Sequence, residues 1–175
     1  MKWPVLLAVC AALFLTVFLL AGCSAKPDTD VQTPTAGRGE KLVGMDVKPE
    51  DVTEFYYTYS TSTDPPHYQR YRFYTEDGKR FFFHEKREGD HWPLTEDDAT
   101  VAGTVELTEA EWEAFFDCLK GGTVKKREEN LDSGGAGPWL YLYWNGDKSK
   151  YQEFTFVSYG ARCDFEELCE GLASR

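Results

Sequence analysis

His67-Tyr-Gln-Arg-Tyr-Arg-Phe-Tyr-Thr-Glu-Asp-Gly-Lys-Arg-Phe-Phe-Phe-His-Glu-Lys-Arg87 is the stretch that decides the fold. Asp77-Gly78 is a strong two-residue hairpin turn, because both positions tolerate positive φ. It predicts a strand from His67 to Glu76 and a returning strand from Lys79 to Arg87. A two-residue turn fixes the register. Tyr74 faces Phe81, Arg72 faces Phe83, Arg70 faces Glu85 and Tyr68 faces Arg87, all on one side. Phe73 with Phe82 and Tyr71 with His84 occupy the other side, which suits a core.

Working outward, Val52 onward alternates as a strand, with Phe55, Tyr57 and Tyr59 on one face. Asp64-Pro65-Pro66 interrupts it, and Thr100 to Leu107 reads as a further strand. Thr108 and Glu111 then form a capping box, with Leu107 and Trp112 as a hydrophobic staple. Trp112, Phe115, Phe116 and Leu119 make the apolar stripe of a core-facing helix, ended by Gly121-Gly122. Thr123 to Glu128 reads as a short strand. Trp139 to Trp144 and Tyr151 to Ser158 form a hairpin across Asn145-Gly146-Asp147. Asp164 with Glu167 caps a last helix whose stripe is Phe165, Leu168, Cys169 and Leu172. The expected class is α+β: a mostly antiparallel sheet of six to seven strands, ββββα-βββα, with two short helices packed on one face.

The chain of 175 residues is 42% hydrophobic and 28% charged, which excludes a disordered or many-spanning protein. Nineteen basic against thirty acidic residues, net −11, argue against nucleic acid as a partner. Isoleucine is absent and aromatics reach 15%, so rings must build the core.

The N-terminus has a different character. Lys2 is followed by an uncharged apolar run from Trp3 to Cys23, the pattern of a secretory signal. Leu20-Ala21-Gly22-Cys23 resembles the lipobox of bacterial lipoproteins. That resemblance implies cleavage before Cys23 and a diacylglyceryl group on its thiol. A run of this length would also span a bilayer uncleaved. Either route holds the domain on the extracytoplasmic face of the cell membrane. The partition expected is residues 1–22 as signal, 23–50 as lipidated Cys and flexible tether, and 51–175 as one α+β domain. A tether of that length reaches about 30 Å as a random coil, and a short strand around Leu42 to Val47 would shorten that reach. Losing Lys2 leaves the remainder more acidic, so the lipid and not a basic patch makes the membrane contact.

Catalytic signals are weak. Asp132-Ser133-Gly134-Gly135-Ala136-Gly137-Pro138 is similar to the nucleophile turn of chymotrypsin-like serine proteases, but Ala136 and Gly137 interrupt it. None of His67, His84 or His91 lies in that family's histidine segment. The alternative is a small cell-surface hydrolase using Ser133, or an acid–base pair among Glu85, Asp90 and Glu96-Asp97-Asp98. The histidines lack metal-ligand spacing, the acidic run lacks the order of a calcium loop, and no cofactor is implied. Cys118, Cys163 and Cys169 allow one disulfide at most, with Cys163 placed ahead of its helix.

The stronger signal is the hairpin face. Residues 70–87 hold six basic and three acidic groups in an acidic chain. Tyr68, Arg70, Arg72, Tyr74, Phe81 and Phe83 are the expected ligand-binding residues, because arginines between rings bind carboxylates or sugars. The row Trp139, Tyr141, Tyr143 is comparable. The function expected is therefore a non-enzymatic, membrane-tethered domain binding a surface protein or small ligand. Replacing Cys23 by Ala is expected to abolish palmitate labelling of the protein, and a labelled Cys23→Ala chain would refute lipidation.

Overall fold

The computed structural model describes residues 36–126, 138–145 and 152–175. The folded unit runs from Pro34 to Arg175. Its elements are β1 (Lys41–Leu42), β2 (Val52–Thr61), β3 (His67–Glu76), β4 (Lys79–Glu88), a 3-10 turn (Glu96–Asp98) and β5 (Ala99–Glu106). Helix α1 (Glu109–Leu119), β6 (Thr123–Lys126), β7 (Trp139–Trp144), β8 (Gln152–Thr155) and helix α2 (Tyr159–Ala173) complete it. The strands form one sheet in the order β1-β6-β8-β7-β2-β3-β4-β5, with every neighbouring pair antiparallel. Eight strands replace the expected six to seven, β1 being the addition.

The central hairpin is the one expected. Asp77 and Gly78 adopt φ of 50° and 76°. The register pairs Tyr74 with Phe81, Arg72 with Phe83, Arg70 with Glu85 and Tyr68 with Arg87. β2 pairs with β3 on one side and with β7 on the other, so Phe55 lies between Phe73 and Leu142. All three are fully buried.

Both helices bring rings to that same side. Phe115 of α1 stacks on Phe73 with centroids 4.0 Å apart and planes at 6°. Phe165 of α2 meets Phe55 edge-on at 5.4 Å and Phe73 at 5.8 Å. Trp112, Phe115, Phe116 and Leu119 form the buried stripe of α1. The Thr108–Glu111 capping box is present in both directions. Gly121, at φ 76°, supplies the left-handed residue that ends the helix.

Two boundaries differ from expectation. Residues 41–50, expected to belong to the tether, belong to the fold. Leu42, Val43 and Val47 are buried. Val43 exchanges backbone hydrogen bonds with Gly121 and Gly122 at 3.0 and 2.9 Å, and Trp112 Nε1 donates to the Pro49 carbonyl at 3.1 Å. Helix α2 starts earlier than Asp164. Its N-cap is Ser158, whose hydroxyl accepts from the Ala161 amide at 3.1 Å, so Cys163 lies inside the helix and not ahead of it. Phe165, Cys169 and Leu172 are buried as the stripe requires, with Leu168 half-buried. No helix among the described residues is long and apolar enough to cross a membrane.

Where α1 turns into β6, Gly122 is pressed against the core. A Cβ there would lie 2.6 Å from the Phe154 ring and 2.8 Å from the Thr155 carbonyl oxygen. The carbonyl belongs to a sheet strand and cannot yield. Gly122→Ala is expected to destabilise the domain by about 1–3 kcal/mol in urea unfolding. Gly103→Ala, where the added Cβ meets nothing within 4 Å, is the control expected to lose nothing.

Candidate functional site

The face of the sheet opposite Phe55, Phe73 and Phe82 is built from the alternate residues of five strands. Antiparallel register places Tyr141 and Tyr143 of β7 beside Tyr56 and Glu54 of β2, and these beside Arg72 and Tyr74 of β3. Phe83 and Glu85 of β4 follow, then Thr104 and Ala102 of β5. Most of these side chains are half-buried by one another.

Three arginines stand among the rings, in unequal states. Arg72 forms an ion pair with Glu54 through Nε and lies 4.2 Å from the Tyr74 ring centre and 5.6 Å from that of Tyr56. Burial draws its pKa down, but Glu54's hydrogen bond and charge more than offset this and hold it above the ordinary value. The Tyr56 hydroxyl donates to the same Glu54 oxygen at 2.6 Å. Burial and that carboxylate push the hydroxyl up to about 12. Arg87 donates from Nε and Nη2 to Oε1 of Glu85, each at 2.6 Å, beneath the Tyr68 ring at 4.7 Å. Glu85, only 6% exposed, is thereby neutralised.

Arg70 is different. Its guanidinium lies 5.5 Å from the Tyr68 ring centre and 5.9 Å from that of Tyr56. Its register partner, Glu85, is already held by Arg87. Its Nε is buried with no acceptor in good hydrogen-bond geometry; burial raises the pKa of the Tyr68 hydroxyl, and the charge and hydrogen bond of nearby Arg70 oppose that rise. Among the described residues Arg70 forms no ion pair. Its charge is met by rings and by no carboxylate among the described residues.

A depression of about 380 Å³ opens at this point, lined by Arg70, Arg72, Phe83 and by Tyr56, Glu85 and Arg87. Glu96, Ala99 and Ala102 form its rim. Of the six residues expected to bind ligand, Arg70, Arg72 and Phe83 line it. Tyr68 and Tyr74 lie beside it as ring partners of the arginines. Phe81 stacks on Tyr74 at 5.3 Å near the turn. Tyr56 was not among the expected set; alternation gives only its face of β2, and the observed register sets it against Arg72.

A second depression, of about 430 Å³, lies on the helix side, lined by Tyr57, Tyr59, His67, Gln69 and Tyr71, with Arg162, Glu166 and Glu170 from α2. The Tyr57 hydroxyl donates to Glu166 and accepts from Arg162 Nη2 at 3.1 Å. Arg162 Nε donates to Glu166 at 2.9 Å. Burial, then Glu166, raise the Tyr57 hydroxyl far above 10. These groups satisfy one another and hold α2 to β2. Sequence reasoning missed them because it began the helix after Arg162; the signal was the Arg162–Glu166 spacing of i, i+4.

No known family, curated protein or solved structure matches this chain. The side chains alone must therefore carry its chemistry.

Among the described residues no three His, Cys, Asp or Glu groups come together as a metal site. Cys118, Cys163 and Cys169 are free thiols. Burial pushes the Cys118 and Cys169 thiols up, away from the reactive thiolate. The run Glu96-Asp97-Asp98 forms the 3-10 turn, and Asp98 accepts from the Thr95 amide at 2.6 Å. Cys23, Ser133 with its glycine-rich loop, and the turn Gly146-Asp147 lie outside the described residues.

His84 faces the helix side of β4, 7% exposed, with Nε2 buried and unpartnered. Tyr71 lies 5.0 Å away and Gly103 lies opposite it in register. Burial, and secondarily the charge of Lys86, hold its pKa below 6.5. Below pH 6.5 the unfolded chain therefore takes up a proton that the folded one refuses, and stability falls. His84→Gln is expected to flatten this loss between pH 7.5 and 5.5 in denaturant titrations, while an unchanged slope would refute the assignment.

Proposed function

We propose that this chain is a membrane-tethered extracytoplasmic lipoprotein, anchored through Cys23, whose domain binds a carboxylate-bearing ligand without catalysing its conversion. The anchor reading rests on Lys2, the apolar run and Leu20-Ala21-Gly22-Cys23. The binding reading rests on one observation: Arg70 is the arginine left unpaired on a sheet face where Arg72 and Arg87 are neutralised. A guanidinium offers a planar fork of donors that matches a carboxylate. The ring of Phe83 and the edge of Tyr56 provide an apolar surface for the body of the ligand. Glu54 and Glu85 are held by Arg72 and Arg87, which leaves Arg70 as the binding charge and Glu96 as a carboxylate in the lining.

The volume suits a sugar acid or a small aromatic acid, and a carboxylate displayed on a surface protein would satisfy the same fork. Calorimetry with D-glucuronate and benzoate as probes, and with D-glucose as the uncharged control, tests this. Arg70→Ala is expected to weaken binding of the acids about tenfold or more, the loss of one charged hydrogen bond. Tyr59→Phe, in the other depression, is expected to leave it unchanged. Failure of both acids to bind, or equal binding by Arg70→Ala, would overturn the reading.

A further inference from the structure

The two edges of the sheet are built differently. β1 presents two residues. β5 presents eight, pairs with β4 on one side and, among the described residues, has no strand on the other. All of it except Val105 is exposed. Long free edges are normally guarded by charge, proline or a bulge. β5 reads Ala-Thr-Val-Ala-Gly-Thr-Val-Glu, uncharged until Glu106 at its end. Its irregularity lies at the start, between Lys86 and Arg87 of the partner strand.

Gly103 sits at its middle without a local reason. Its φ is not in the left-handed region, and a Cβ there would meet nothing within 4 Å. A glycine inside a strand is one mark of a site where a ligand or another backbone comes close.

We propose that β5 pairs with β5 of a second copy of this chain, antiparallel, about a two-fold axis through Gly103. An axis perpendicular to the sheet keeps each side chain on its own face, so paired positions differ by an even number. Gly103 then faces itself. Val101 faces Val105 of the second copy, Ala102 faces Thr104, and Thr100 faces Glu106. Val101, 41% exposed in one copy, is covered by a valine from the other. The charged residue Glu106 meets a threonine, so no like charges oppose. Centring on Ala102 would instead put Val101 against Gly103 and forfeit both valine pairs. The centring on Gly103 pairs both valines and spans the most of the strand, a fit the edge makes to its own sequence, and that selects a second copy over a foreign strand.

The register can be read by cysteine cross-linking of the full chain in its membrane, with copper phenanthroline as oxidant. Paired Cα atoms lie about 4.5–5.5 Å apart, within disulfide reach. Ala102 stands about 8 Å from its own counterpart, outside that reach. Gly103→Cys is expected to give a reductant-sensitive dimer above the wild-type background. Ala102→Cys and Thr104→Cys are each expected to remain monomeric, and the double variant to cross-link. Absence of the Gly103→Cys dimer, its cross-linking to another protein instead, or equal cross-linking by Ala102→Cys alone would overturn the proposal. Open space at Gly103 keeps that variant folded, and a circular-dichroism melt of the purified chain checks it.

Discussion

The face-to-face contact between Phe73 and Phe115 is the joint on which this domain depends. Helical proteins usually seat helices on sheets with branched aliphatics, which slide past one another at small expense. A chain without isoleucine joins the layers with rings, and ring pairs prefer defined offsets and angles. Phe73 stacks on Phe115, and Phe55 meets Phe115, Phe154 and Phe165. These contacts fix both helices against β2 and β3 together. The same two strands carry Tyr56, Arg70 and Arg72 on their reverse side. Rigid packing on one face therefore sets the spacing of the arginines on the other.

How far this could be read in advance follows from where the information is stored. The β3–β4 register was legible because Asp77-Gly78 determines it locally, and α1 because its cap and stripe lie within one segment. A short strand around Leu42 to Val47 could be raised but not placed, since two residues carry no periodicity; Leu42 and Val43 are buried by pairing with β6 and with Gly121-Gly122, remote in sequence. The start of α2 was hidden for another reason. Tyr159-Gly160-Ala161-Arg162-Cys163 has no apolar stripe, being exposed or half-buried, so the first buried residue, Phe165, drew the expected boundary toward itself. Within the candidate site, alternation located the arginines. Which of them would be neutralised depended on Arg87 reaching along its own strand to Glu85, and that is a rotamer outcome no spacing encodes.

The electrostatics of the open face differ from those of the chain. A net charge of −11 repels anions at long range, where salt also screens it. Arg70 acts at contact distance, shielded by Tyr56 and Tyr68. On the binding proposed above, an anion would gain little by drifting near such a domain and much by docking in the right orientation. That arrangement favours selection by shape over accumulation by charge.

The inequality of the sheet's edges has a consequence for growth. A sheet with two long bare edges can recruit neighbours at both ends, and each addition exposes another template, the route to fibres. Here one edge ends in the two residues of β1, backed by the cap of α1. Growth in that direction has almost no ladder to follow. Pairing of β5 with β5 of a second copy would therefore be self-terminating: it consumes the one long free edge among the described residues and leaves only the two-residue edges of β1.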